Sequence, residues 1–233
     1  MADIIEFMIG EVATKALVAL PTSGAMKAGV VVSFNHNGFD QSTHSILDSL
    51  AREGYAAIAP FHYHVIPEGV DLEHRREYLR DEQFAADFEA SFHWLVAQQK
   101  INPKRIALIG HCQGGRAVWV GATAKPDLWA CACVWYGGGA FRQSGALPSP
   151  FDSLDQITCP IMGFFGNDDK NPSPADVDMF EERLKEGGKN YVFHRYDGAG
   201  HAFMNFNHER YNPAATEHSW REALTFLKAH LPG

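Results

Sequence analysis

The stretch that decides the fold is Ile109-Gly110-His111-Cys112-Gln113-Gly114-Gly115, a G-x-C-x-G motif between two segments of different periodicity. Residues 105–109 form a short aliphatic run that predicts a buried strand, and residues 114–124 predict a helix. A strand, a sharp turn with flanking glycines and a helix are the local structure that lifts a nucleophile above a sheet. Cys112 would then lie at a helix N-terminus, where aligned backbone dipoles favour a thiolate.

The same alternation of strand and helix continues on both sides of this motif. Strands are predicted at residues 29–34, 55–59, 105–109, 131–135, 161–165 and 191–196, and helices at 43–53, 79–99, 114–124, 177–185 and 217–230. Such alternation indicates a mostly parallel central sheet with helices on both faces, so the fold class is α/β. No repeat or linker divides the chain, and a single domain over residues 1–233 is expected. Residues 61–71 and 137–155, rich in turn formers, are predicted as loops.

Composition and charge exclude several classes of protein. The 233 residues carry 20 basic and 28 acidic side chains, a formal charge of −8 with histidine neutral, which does not suit a nucleic-acid partner. The four cysteines form no C-x-x-C pair, so they are expected to be reduced thiols. Neither a signal peptide nor an apolar run of about 18 residues is present, which predicts a cytoplasmic protein without a membrane partner.

Two further segments supply partners for Cys112. Asp169 follows the strand at 161–165 in Gly166-Asn167-Asp168-Asp169, and His201 follows the last strand. The chain order nucleophile, acid, histidine is that of an α/β-hydrolase triad, and all three residues come after strands, where such sheets bind ligands. Asp169 is favoured over Asp168 because it lies three residues after Gly166. The alternative is that Cys112 is a buried structural thiol and His201 caps a backbone carbonyl.

In this arrangement His201 would hold the thiol proton, Asp169 would orient the imidazole, and the Gln113 amide would point at a developing oxyanion. The thiolate would attack an activated carbonyl to give an acyl-thioester, which water resolves.

Together these motifs resemble the dienelactone hydrolase (carboxymethylenebutenolidase) family. The resemblance rests on Gly110-x-Cys112-x-Gly114-Gly115, Gly166-x-x-Asp169 and Ala199-Gly200-His201-x-Phe203, and extends to residues 52–60 and Trp135-Tyr136-Gly137. It implies an α/β-hydrolase fold and cofactor-free hydrolysis of an enol-lactone or a similar activated ester. The expected partner is therefore a small-molecule lactone or ester, and the expected assembly is a monomer or a small homo-oligomer.

The resemblance also assigns roles to residues. The family triad maps onto Cys112, Asp169 and His201, and its oxyanion hole maps onto the backbone amides of Gln113 and His36. The tyrosine of its Tyr-Gly turn maps onto Tyr136. The predicted contacts with substrate are Asn35, His62, Tyr136, Phe203 and Arg80.

Two departures from the family pattern affect substrate and activation. Family members carry a glutamate that contacts the resting thiol, whereas residues 34–38 here contain no carboxylate, so Asn35 or His36 must replace it. A positively charged His36 would favour the thiolate. The family also binds a substrate carboxylate with arginines, one just after the His-x-Phe motif, and this chain has none there. Arg75, Arg76 or Arg80 could supply a contact.

Three alternative functions are compatible with the sequence. One is a catalytically altered family member that binds a small molecule. Another is a metal-assisted hydrolase that uses the loop histidines, because neutral imidazole is a common zinc ligand. The loop histidines are His36, His62, His64, His111 and His201. The third is a thiol redox protein acting through Cys112, which lacks a nearby resolving cysteine. The main interpretation requires neither a metal nor a cofactor.

Overall fold

The central element is a sheet of eight strands, seen in a computed structural model that describes residues 1–22, 26 and 28–231. The strands are β1 (Asp3–Ile9), β2 (Val12–Ala19), β3 (Ala28–Ser33), β4 (Tyr55–Pro60), β5 (Ile106–His111), β6 (Cys131–Trp135), β7 (Ile161–Gly166) and β8 (Tyr191–Tyr196). Their order across the sheet is β1-β2-β4-β3-β5-β6-β7-β8. The six strands predicted from the sequence are all present, and β3 to β8 run parallel.

An antiparallel hairpin at one edge was not predicted. β1 pairs with β2 through a turn at Gly10, and β2 pairs antiparallel with β4. Most residues of β1 and the first half of β2 are exposed or half-buried, so no buried run marks them in the sequence. The rest of the sheet is parallel, as the alternation of strands and helices predicts.

Five helices cover the sheet, and their caps set where they begin. They are α1 (Gln41–Arg52), α2 (Asp81–Gln99), α3 (Gln113–Ala124), α4 (Pro174–Glu186) and α5 (Pro213–His230). α1 begins two residues before its predicted start because the Asp40 carboxylate accepts the Thr43 amide at 2.8 Å. α4 begins with a reciprocal capping box between Ser173 and Asp176, and α5 begins with Pro213 after the Asn212 cap.

The helices divide between two apolar layers, one on each face of the sheet. α2, α3 and α4 pack on one face, where Phe84, Phe88, Phe92 and Leu95 of α2 are buried. α1 and α5 pack on the other face. The predicted α/β class with helices on both faces is confirmed. None of the helices in the described ranges is long and apolar enough to cross a membrane.

The two predicted loops are more ordered than their composition suggests. Residues 61–71 include a 3₁₀ turn at His62–Val65, with His62 and Tyr63 buried. The segment 137–155 is not simply a surface excursion. Ala140 and Leu154 are fully buried, and a second 3₁₀ turn spans Phe151–Gln156. Both segments lie at the carboxyl ends of the parallel strands, where they border the candidate site.

Candidate active site

Cys112 occupies a strained turn between β5 and α3. Its φ of 57° and ψ of −118° lie outside the regions that most side chains adopt. The Cys112 amide donates to the Trp135 carbonyl at 3.0 Å, which ties the turn to β6. A side chain at Gly114 would collide with the Ser33 carbonyl, so only glycine allows α3 to approach β3 this closely. The structure therefore has the nucleophile-elbow geometry that the motif predicts.

The structure brings together the three residues predicted as a triad. His201 Nε2 lies 3.0 Å from Cys112 Sγ, and His201 Nδ1 lies 2.8 Å from Asp169 Oδ2. The other Asp169 carboxylate oxygen accepts the Asn171 amide at 2.8 Å, which fixes its orientation. Asp168 is exposed, whereas Asp169 is buried. The preference for Asp169 over Asp168 thus agrees with the hydrogen bonding of His201.

These contacts shift the pKa values of both Cys112 and His201. Burial raises the pKa of Cys112, but hydrogen bonds from His201, His36 and the Gln113 backbone outweigh it and lower the pKa to about 6. Burial lowers the pKa of His201, but the bonds to Asp169 and Cys112 raise it to about 10. At neutral pH the pair is therefore a thiolate beside an imidazolium.

The loop after β3 places a histidine against the thiol. His36, rather than Asn35, is the residue of this loop whose side chain helps to lower the pKa of Cys112. Asn35 instead holds the loop, because its carbonyl accepts the Asn37 amide at 2.8 Å and its amide donates to Asp40 at 3.2 Å. The Gln113 backbone amide faces the Cys112 sulfur. The position of the His36 amide relative to a bound carbonyl stays a prediction.

The main pocket at Cys112 has a volume of about 300 Å³ and an arginine-rich wall. It is lined by Arg76, Leu79, Phe84, Cys112, Gln113, Arg116, Gly138, Gly139, Arg142, Ser144, Asn171 and His201. Arg116 is neutralised by a bidentate pair with Asp81, at 2.5 and 2.9 Å, and also donates to the Gly139 and Arg142 carbonyls. Arg76 and Arg142 have no carboxylate partner among the described residues. The pocket is therefore lined by two solvent-exposed arginines that form no ion pair among the described residues.

A smaller pocket of about 90 Å³ shares Cys112 and His201 with the main one. Within the described part of the chain, its lining contains no aspartate, glutamate, lysine or arginine, and it includes Asn35, His36 and Tyr136. Tyr136 has a positive φ of 38° and packs edge-on against His201 at 5.2 Å between ring centroids. Asn35 and Tyr136, both predicted to contact substrate, thus border this pocket.

Three other residues predicted to contact substrate do not line either pocket. Phe203 is fully buried behind Tyr136, at 5.1 Å between ring centroids. Arg80 donates to the Glu77 and Leu79 carbonyls at the start of α2. His62 is fully buried and hydrogen-bonds to Ser33 and Asp87. The sequence places all three at the correct end of the sheet, but it does not determine where their side chains point.

Sequence reasoning missed Arg142 and Tyr63 at the site. Arg142 lies in the segment 137–155, which was predicted as a loop. The Tyr63 hydroxyl donates to the His36 carbonyl at 2.6 Å and accepts from the Gln113 side chain at 3.3 Å. Arginine within a glycine-rich loop at a strand end was the available signal for Arg142, whereas nothing in the local sequence distinguishes Tyr63.

The five loop histidines do not form one cluster. His36, His111 and His201 border the smaller pocket, whereas His62 and His64 bind the buried carboxylate of Asp87. Within residues 1–22, 26 and 28–231, no group of three or more His, Cys, Asp or Glu side chains is arranged to hold a metal ion. The metal-assisted alternative thus has no ligand set in that part of the chain.

Comparison with solved structures defines the class of the fold. A protein from Klebsiella pneumoniae, provisionally named a dienelactone hydrolase, superposes with a TM-score of 0.87 at 24% identity, covering 97% of this chain and 98% of its own. A dienelactone hydrolase-like promiscuous phosphotriesterase from metagenomic libraries gives a TM-score of 0.82 at 17% identity, covering 100% and 99% of the two chains. The fold is that of the α/β-hydrolases, as predicted.

Sequence comparison narrows the class to a family. The model of the dienelactone hydrolase family matches residues 14–231, and the chain belongs to that family of hydrolases. A Synechocystis protein provisionally named carboxymethylenebutenolidase is 26% identical over 92% of this chain and 91% of its own length. A Bradyrhizobium protein provisionally named 2-oxo-3-(5-oxofuran-2-ylidene)propanoate lactonase is 26% identical over 94% and 90%.

Proposed function

We propose that this protein hydrolyses a small lactone or ester bearing a carboxylate, through a thioester on Cys112. The observation that carries the proposal is the chain of contacts from Cys112 Sγ to His201 at 3.0 Å and from His201 to Asp169 at 2.8 Å, at the base of a pocket with unpaired arginines. A thiolate with a pKa of about 6 is ionised at neutral pH and needs no separate base to become nucleophilic.

The proposed reaction has two displacement steps. The Cys112 thiolate attacks the carbonyl carbon, and the resulting oxyanion is stabilised by backbone amides, among them that of Gln113. The ring C–O bond then breaks, and the departing oxygen takes a proton from the His201 imidazolium. Water attacks the thioester while His201 accepts its proton, and the C–S bond breaks to release the acid and the thiolate.

Two arginines without acidic partners in the described ranges are the reason for proposing a substrate that carries a carboxylate. Arg76 and Arg142 face the same pocket as Cys112, in a protein whose net charge is −8. A guanidinium without an internal partner in such a pocket favours an anionic ligand, because it can bind a carboxylate with two hydrogen bonds. The name of the Bradyrhizobium relative describes a lactone ring attached to a propanoate, a substrate that would suit this pocket.

The test is ring opening of a dienelactone, followed by ultraviolet absorbance, with wild-type protein and the Cys112→Ala variant. Turnover by wild type, its loss in the variant, and a mass increase on Cys112 after acid quenching would support the proposal. Wild-type binding of the lactone without turnover would overturn it and favour a binding protein.

The carboxylate contact is tested separately with Arg76→Gln and Arg142→Gln. Each is expected to raise KM for an anionic lactone roughly tenfold, the effect of losing about 1.5 kcal/mol, the lower end for a hydrogen bond to a charged group. KM for an uncharged ester should change little. Arg183→Gln, an exposed position on α4, is the matched control. Equal effects on charged and uncharged substrates would contradict a carboxylate contact.

A further inference from the structure

A second cluster of hydroxyl, imidazole and carboxylate lies buried beneath the site. Ser33 Oγ is 3.0 Å from His62 Nε2, and His62 Nδ1 is 2.7 Å from Asp87 Oδ2. All three side chains are fully buried. His64 Nε2 lies 2.9 Å from the other Asp87 oxygen, and Gln83 donates to the carboxylate at 2.6 Å. One buried carboxylate thus holds two histidines from the same 3₁₀ turn.

This cluster is closed to substrate. The His62 ring is enclosed by Phe34, Phe84 and Phe88, at 4.8, 4.8 and 5.4 Å between centroids. Neither Ser33 nor His62 borders a described pocket. Burial raises the pKa of Asp87, but the hydrogen bonds from His62 and His64 prevail and lower it, so the carboxylate stays charged. A charged group this deep must have a role other than contact with substrate.

The cluster reaches the active site through Tyr63. Tyr63 lies between His62 and His64 on the 3₁₀ turn, so the two rings that bind Asp87 fix its position from both sides. Its hydroxyl donates to the His36 carbonyl at 2.6 Å and accepts from the Gln113 side chain at 3.3 Å. One phenol oxygen therefore joins the loop after β3 to the first residue of α3.

Those two segments carry the groups that surround the Cys112 sulfur. His36 borders the same small pocket as Cys112, and its side chain and the Gln113 backbone amide both help to lower the pKa of the thiol. A shift of a few tenths of an ångström between the segments would alter the bond to the thiolate and the donors aimed at an oxyanion, and such displacements have large kinetic effects. The spacing between His36 and Gln113 is thus held by Tyr63.

We propose that Asp87, acting through His62, His64 and Tyr63, positions the His36 loop and Gln113 around the thiolate. Tyr63 and Asp87 are positioning residues, since neither touches the reacting atoms. The part concerning turnover rests on the function proposed above. The part concerning the thiolate does not, because alkylation of Cys112 needs no substrate.

The first test removes only the bridging hydroxyl, with Tyr63→Phe. The variant should lose kcat roughly tenfold or more while KM changes less than about twofold, since orientation rather than binding is affected. The pH midpoint for alkylation of Cys112 by iodoacetamide should also rise. Tyr55→Phe, at a buried tyrosine in β4, is the matched control. Wild-type kcat and an unchanged alkylation midpoint in Tyr63→Phe would overturn the proposal.

The second test asks whether Asp87 acts through Tyr63. Asp87→Asn keeps the size of the side chain, and the Tyr63→Phe/Asp87→Asn double variant should lose no more kcat than the more impaired single variant. Losses that multiply would show that Asp87 does not act through Tyr63. If the Asp87→Asn variant does not fold, the Tyr63→Phe variant alone still tests the positioning role. A raised alkylation midpoint together with an inactive wild type would leave the positioning role intact and reject the proposed hydrolysis.

Discussion

Two clusters in this molecule each join a hydroxyl or thiol, an imidazole and a carboxylate, with nearly the same hydrogen-bond distances. The open cluster borders a pocket, whereas the closed cluster is fully buried. In the open cluster, His201 lies 3.0 Å from Cys112 and 2.8 Å from Asp169. In the closed cluster, His62 lies 3.0 Å from Ser33 and 2.7 Å from Asp87. The His201 side chain is 23% exposed and that of His62 is 0% exposed. Hydrogen-bond distances alone therefore do not distinguish a catalytic arrangement from a structural one.

The difference lies in what surrounds each nucleophilic atom. Cys112 stands in a strained turn at the start of α3, with the Gln113 amide beside its sulfur and a pocket of about 300 Å³ in front. Ser33 ends β3, and its carbonyl faces Gly114 across a tight packing contact. Access and nearby oxyanion donors therefore decide function, and the same imidazole–carboxylate unit can instead stabilise a buried turn.

The largest expected effect comes from the nucleophile of the open cluster. Cys112→Ala should lower kcat for lactone opening by on the order of 10⁴-fold or more, because no other group can form the covalent intermediate. The measurement is the steady-state rate at saturating substrate, with the melting temperature recorded to show that the fold persists. A variant that retains more than about a hundredth of wild-type kcat would remove Cys112 from the mechanism.

The two carboxylates next to the turn after β7 provide a sharper contrast. Asp169→Asn should lower kcat by roughly 10²–10³-fold, because the amide no longer holds His201 in the correct orientation and charge state. The adjacent and exposed Asp168 makes no contact with His201, so Asp168→Asn should retain nearly full activity. Comparable losses in both variants would mean that charge near the pocket matters and the hydrogen bond to His201 does not.

The pH dependence of kcat/KM tests the state of the open cluster in the free enzyme. Because the pKa of Cys112 is lowered to about 6, activity should fall as pH decreases through that value and the thiolate is protonated. Because the pKa of His201 is raised to about 10, activity should also fall as pH increases through that value and the imidazolium is lost. Each limb should approach a tenfold change per pH unit. An acid limb near pH 8.5, the value of an ordinary thiol, would contradict an activated thiolate.

A moderate effect is expected at His36, whose side chain helps to lower the pKa of the thiol. His36→Ala should raise the pKa of Cys112, since one of the groups that stabilise the thiolate is lost. The pH dependence of iodoacetamide alkylation measures this shift directly. His93→Ala, at an exposed position on α2, serves as the control. An unchanged thiol pKa would show that His36 does not replace the missing carboxylate.

The sequence predicted those features that depend on short segments. The strand, turn and helix around Cys112, and the placement of Asp169 and His201 after their strands, follow from local patterns, and the structure places these residues as predicted. Parallel strands end at one edge of the sheet, so residues that follow them meet there. That rule locates side chains at one end of the fold, but does not orient them.

The features that were missed depend on long-range packing. Tyr63 meets Gln113 across 50 positions of sequence, and Ser33 meets His62 across 29. Such contacts depend on which face of a short turn packs inward, which neither periodicity nor spacing determines. The same limitation explains why His62 was predicted to contact substrate although its ring is enclosed by aromatic side chains.

The smallest effect on activity is expected at the hydroxyl of the closed cluster. Ser33→Ala should keep kcat within about threefold of wild type, because His62 and His64 still bind Asp87 and Tyr63 stays in place. The substitution should instead lower the free energy of unfolding. Losing the Ser33 hydroxyl leaves the buried His62 Nε2 without this partner, at about 1–3 kcal/mol. For a chain of this length each kcal/mol lowers the melting temperature by roughly 2–4 °C. A large loss of kcat with an unchanged melting temperature would reverse the assignment of the two clusters, because it would make Ser33 a participant in the reaction.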